Sequence, residues 1–171
     1  MDIIEKILEI NCSINKYDFK DDNDIIGIIV NKNDTDMFNG EGYAFLIDKR
    51  LNESDSKLVC AMLYKKLIDN NCSLEIGKCF TIRRTNLKDI CSVIEVLDLL
   101  IDDNSFKQLL NRYCNNLDKV CYYYELRGIS PLLVDLKYSV LKYKESLNNI
   151  DNVLQFKTNN NSMKRKIISK E

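Results

Sequence analysis

Seven cysteines, at positions 12, 60, 72, 79, 91, 114 and 121, are the most reactive side chains in this sequence, and no histidine or tryptophan accompanies them. Without imidazole there is no Ser-His-Asp or Cys-His arrangement, no His-containing zinc site, no haem held through His and no histidine pH switch. A serine nucleophile would have only Lys, Asp or Glu as its base. The cysteine count is odd, no CxxC occurs and five of the seven fall in apolar periodic segments. They read as reduced thiols acting as small buried hydrophobes. Cys72/Cys79 and Cys114/Cys121 share a seven-residue offset. On a helix that spacing puts two thiols on one face, about 10 Å apart along the axis, too far for one pair to chelate an ion. A four-thiolate site assembled from both pairs is the one metal arrangement the spacing leaves open. No metal, cofactor or small-molecule substrate is expected, and the chain is expected not to be an enzyme.

The other candidate groups are charges and aromatic rings. Asp18, Asp21, Asp22 and Asp24 lack the Gly and Glu that an EF-hand loop places at its sixth and twelfth positions, so they read as a charged loop. Gly40-Glu41-Gly42 has neither a second glycine pattern nor a P-loop lysine behind it. Arg83, Arg84 and Lys88 cluster where a strand gives way to a helix; they either hold a phosphate or pair with nearby carboxylates, Asp48 or Asp89. Tyr122-Tyr123-Tyr124 sit at consecutive helical positions about 100° apart, so they cannot share one core. Tyr124 fits the apolar stripe, and Tyr122 or Tyr123 is expected to be partly exposed, as a partner anchor or packed through its ring on the next helix.

The strongest charge feature is at the end. Lys157, Lys164, Arg165, Lys166 and Lys170 face only Glu171, giving 157–171 a net +4, so residues 1–156 carry −5 of the overall −1. A short Lys/Arg run on a tether contacts RNA or DNA phosphates by releasing counterions. Free in water such a segment is expected to be unstructured, because nothing in it buries enough surface to offset ordering entropy.

Elements must position these groups. At 171 residues and 20.0 kDa, with 45% hydrophobic and 30% charged residues, the composition is that of a folded domain rather than a disordered chain. Ile3, Ile4, Ile7 and Leu8 stripe a short first helix. The β-branched run 25–30 and the segment 42–48 read as an antiparallel pair of strands. Leu58, Val59, Met62, Leu63 and Leu67 line a helix over 54–70, capped by Asn52 or Ser54. Period-two alternation over 74–84 predicts a third strand. Asn86 then caps a helix with Ile90, Val93, Ile94, Leu97 and Ile101 inward. A second, the longest, carries Phe106, Leu109, Leu110, Tyr113, Leu117, Val120, Cys121 and Tyr124 and is stopped by Gly128. Ser130-Pro131 starts the last helix, with Leu133, Leu136, Val140, Leu141, Leu147, Ile150 and Leu154 along it.

The expected fold is therefore α+β, a small three-stranded, mostly antiparallel sheet followed by a three-helix unit and a basic C-terminal tail. Residues 1–156 form one domain, with a sheet-containing half of about 1–84 and a helical half of about 86–156; 157–171 form the flexible tail. The acidic start lacks the basic region of a signal peptide, and no apolar run reaches the ~18–20 residues of a membrane span, so a cytoplasmic location is expected. The functional expectation is a non-catalytic, ribosome-associated or other RNP-docking factor that inhibits translation as a dormancy-type regulator, with RNA contacted by Arg83, Arg84, Lys88 and the tail. The alternative is a protein–protein interaction module such as a virus-encoded modulator of host signalling, since the Asn- and Ile-heavy composition also fits AT-rich viral genomes.

Overall fold

The structure, a computed structural model, describes residues 2–148 apart from positions 21, 39 and 76. Its class is α+β, as expected, but the sheet has four strands and is mixed. They are β1 (Cys12–Tyr17), β2 (Ile25–Asn31), β3 (Tyr43–Asp48) and β4 (Phe80–Arg83), in the order β1-β3-β2-β4. β2 and β3 form the expected antiparallel pair. β1 lies parallel to β3, and β4 antiparallel to β2. The sequence reading missed β1 because Cys-Ser-Ile-Asn-Lys-Tyr holds few apolar residues. As an edge strand it needs only Cys12 and Ile14 on the covered face. The strand expected over 74–84 shrinks to Phe80–Arg83: Gly77 turns in the left-handed region at φ +75°, and Arg84 already begins a helix.

One sheet face carries Gly27 and Ile29 of β2, Phe45 and Ile47 of β3 and Ile82 of β4, all buried and in mutual register. Across it lies α2 (Glu53–Asp69), whose N-cap is Asn52, its side chain accepting from the Asp55 N–H. Residues 58–63 of α2 are buried without interruption, so this helix is apolar all round its middle. Gly27 is what lets it come so close: a Cβ there would stand 2.4 Å from Val59 Cγ1. α1 (Ile3–Glu9) packs beside α2, burying Ile3 and Ile7 while Leu8 faces outward.

The helical part is more broken than its periodicity suggests. α3 (Arg84–Lys88) is a single turn, and Asp89, not Asn86, caps α4 (Ile90–Leu100), accepting from the Cys91 and Ser92 N–H groups. The cap shifts the inward face to Val93, Val96 and Leu97, leaving Ile90 and Ile94 exposed. The long second helix is two: α5 (Asp103–Arg112), capped by Asp102, and α6 (Leu117–Glu125), capped by Asn116. Between them Cys114 and Asn115 adopt left-handed backbone at φ +54° and +60°. Gly128, at φ +67°, ends α6 as expected, and Ser130-Pro131 opens α7 (residues 131–148). One apolar cluster runs from Ile3 through the sheet and α2 to Leu141 of α7.

Two core expectations change. Only Cys12 and Cys60 are buried; Cys72, Cys79, Cys91 and Cys114 are exposed, because turns and helix ends put them outside the stripes. On α7 the buried row is Leu133, Val134, Lys137 and Leu141, while Leu136 and Val140 are half-buried and Leu147 is exposed. Lys137 is wholly enclosed, its ammonium paired with Asp98 of α4 and Asp103 of α5. Lys144 reaches the same two carboxylates at 3.5 Å.

Candidate functional site

Arg83 and Arg84 fall where the sequence places them, at the junction of β4 and α3, but their guanidinium groups are already committed. Arg83 Nη1 lies 3.0 Å from an Asp24 carboxylate oxygen and 3.7 Å from Asp22. Arg84 donates from Nε to the Asn23 carbonyl at 2.8 Å and from Nη2 to Asp48 at 3.1 Å. Of the two readings offered by the sequence, pairing with carboxylates is what the geometry displays. The partners are Asp24 and Asp48, with Asp89 instead engaged in capping α4. Lys88 is exposed and makes no ion pair among the described residues.

Asp48, at the end of β3, is the centre of this junction. Its carboxylate is fully buried and accepts from Arg50 Nε, Arg50 Nη2 and the Arg50 N–H as well as from Arg84. Burial by itself pushes the Asp48 carboxyl up. The Arg50 side-chain and backbone hydrogen bonds, with the charges of Arg50 and Arg84, outweigh that and hold it below the ordinary value of 3.8. Beside it, Asp18 is lowered chiefly by its hydrogen bond from Lys49, 2.8 Å away. The acidic loop is thus a set of counter-charges for β3 and β4, and it ties the sheet end to α3.

The tyrosines behave as their angular spacing requires. Tyr124 is buried against Phe106 with ring centroids 6.0 Å apart, and burial pushes its phenol up to about 12. Tyr122 is 63% exposed. Tyr123 is half-buried; the Arg127 guanidinium lies 3.7 Å from its ring centroid, and Tyr124 meets it edge-on. Tyr123 also borders a cleft of about 610 Å³ between α1, α5 and α6, to which Asp2, Asp102, Gln108, Arg112 and Arg127 contribute. The sequence reading had no reason to single out Arg112 or Arg127. They are isolated basic residues, and only the folding of α5 against α6 puts them on one cleft.

A third surface is apolar. Tyr122 of α6 and Leu126 at its C-cap are both exposed, Leu132 is 79% exposed at the start of α7, and Tyr143 and Leu147 are exposed further along it. On α7 the exposed Leu132, Tyr143 and Leu147 fall on one side at helical spacing, with the half-buried Leu136 and Val140 between them packed on the core.

No group of three or more Cys, Asp or Glu is placed to hold a metal ion among the described residues. The Cys60 thiol, pushed up to about 12 by burial, is far from a reactive thiolate at neutral pH. Among the described residues no helix is long and apolar enough to cross a membrane. The tail candidates Lys157, Lys164, Arg165, Lys166 and Lys170, like Ile150 and Leu154 of the expected last helix, lie outside the described residues. The chain matches no protein-family model, no curated protein and no solved structure.

Proposed function

We propose that this chain is a non-catalytic factor that docks on a large ribonucleoprotein assembly, the ribosome being the leading case, and occupies a functional surface there as an inhibitor or dormancy-type regulator. The observation that carries the reading is the sequence of surfaces at the C-terminal end. A helix whose Leu132, Tyr143 and Leu147 are exposed among the described residues is followed within nine residues of position 148 by a segment of net +4. An apolar stripe suits the protein component of such an assembly, and the cationic segment suits its RNA phosphates. Sedimentation of the full chain and of a 1–156 truncation with the assembly, at several salt concentrations, tests this. Truncation is expected to weaken binding and flatten its salt dependence; unchanged affinity and slope would remove the RNA arm from the proposal.

A second reading, a protein–protein interaction module of the kind viruses direct at host signalling, draws support from the pairing of Arg83 with Asp24 and of Arg84 with Asp48. Those pairs leave the body with less cationic surface for nucleic acid than its sequence suggests. Partners that persist through nuclease treatment and high salt favour this second reading over the first.

A further inference from the structure

We infer that the cleft between α1, α5 and α6 takes the phosphate backbone of single-stranded RNA, held by Arg112 and Arg127; this rests on the ribonucleoprotein reading above and gives it a contact site in the folded body.

Five arginines lie among the described residues. Arg50, Arg83 and Arg84 each hold a carboxylate within 3.1 Å, and a phosphate would have to displace it. Arg112 and Arg127 make no ion pair among the described residues, and both border the same cleft. An unpaired guanidinium offers its planar fork of N–H donors to phosphate oxygens without first breaking another pair.

Their placement fits a strand with repeated charge better than a single anion. Ser105, Gln108 and Arg112 follow one another along one face of α5, while Tyr123 lies near the end of α6 and Arg127 in the turn just beyond it. The Phe106–Tyr124 contact puts the start of α5 beside the end of α6. Arg127 therefore stands by the Ser105 end, and Arg112 lies seven residues, about 10 Å, further along α5. Arg127 is held in orientation: its guanidinium stacks on the Tyr123 ring and donates from Nη1 to the Tyr123 carbonyl at 3.3 Å, leaving its other N–H groups for a ligand.

Three carboxylates share the cleft, and each already has partners. Asp2 accepts from the Ile4 N–H and pairs with Lys57 at 3.1 Å; Glu5 accepts from the Asp2 N–H; Asp102 accepts from the Ser105 N–H. Lys57 offsets Asp2, so Glu5 and Asp102 stand against Arg112 and Arg127 in a cleft without net charge, and their remaining oxygens can accept from base amino groups, as carboxylates do with cytosine.

The test is fluorescence anisotropy of a labelled single-stranded RNA of about a dozen nucleotides, titrated with the full chain at several salt concentrations. Arg112→Gln and Arg127→Gln are each expected to weaken binding about three- to tenfold and to reduce the log–log salt slope by about 0.7. Arg83→Gln leaves both unchanged. Thermal melts accompany the titrations, and Arg112→Lys, which keeps the charge, is expected to retain the slope. If both Gln variants bind as the unaltered chain does while removal of 157–171 abolishes the salt dependence, the cleft proposal is overturned and the assembly-docking reading stands. Absence of RNA binding by the unaltered chain overturns the cleft proposal; sedimentation with the untreated assembly then leaves docking intact, through a surface other than the cleft. Binding of a glutamate-rich peptide in place of RNA, with the same dependence on both arginines, also overturns it.

Discussion

Asp48 joins three separate parts of the chain: the end of β3, the turn at Arg50 and the start of α3 at Arg84. A buried carboxylate without such partners would be strongly unfavourable; with four donors around it the ionised form is favoured instead. Asp48→Asn is expected to lower stability by about 2 kcal/mol at neutral pH, read as a shift of the urea midpoint. The sign of the pH dependence follows from the direction of its shift. Because the folded carboxyl lies below its ordinary 3.8, its contribution is complete above that value and fades as the pH falls through the lower folded one. The gap between the unaltered chain and Asp48→Asn should therefore be constant near neutrality and close in acid; a gap that widens below pH 4 would contradict this account. At this scale the sequence was half legible. It placed Arg84 next to Asp48 as one of two options, and it ordered the three tyrosines correctly by angle alone. It gave no hint of Arg112 with Arg127, which lie fifteen residues apart and meet only through tertiary packing. Lys137 was invisible for a different reason: a hydrophobic count treats lysine as surface, although its four-carbon stem packs well when two carboxylates await the ammonium.

Among the elements, those written by strong local chemistry were readable and those made by context were not. β2, β3 and α2 follow from β-branched runs and a capped apolar stripe, and Gly128 and Ser130-Pro131 bound α6 and α7 where their backbone preferences require. The break between α5 and α6 escaped notice because the apolar period runs on across it; what interrupts the helix is left-handed backbone at Cys114 and Asn115, which periodicity does not register. β1 escaped because an edge strand needs little apolar content. The close packing of α2 on the sheet depends on the missing side chain at Gly27. Gly27→Ala would put a methyl 2.4 Å from Val59 Cγ1 and 3.2 Å from Leu63 Cδ1. A loss of roughly 1–3 kcal/mol is expected in equilibrium unfolding. The double change Gly27→Ala with Val59→Ala should recover part of it, since the two sites share the same space.

For the whole molecule, surfaces and stability separate. The α7 stripe is exposed, so Leu132→Ser combined with Tyr143→Ser should leave the thermal midpoint within a few degrees of the unaltered chain, because surface substitutions away from special contacts change stability by about 0.5 kcal/mol or less each. Assembly binding in the sedimentation assay should fall at the same time; a variant that unfolds more easily while still sedimenting would place the stripe in the core and remove it from docking. The order of strands carries a last consequence, for the chain as it is made. β1 and β2 are synthesised before β3, yet they do not pair with each other: β3 lies between them and pairs with both. A nascent chain that has emerged only as far as residue 42 holds two strands with no ladder to join. The sheet begins only when Tyr43–Asp48 slides between two segments that have been waiting for it, so a pause in synthesis just before that point should leave the amino-terminal part open to proteases and chaperones.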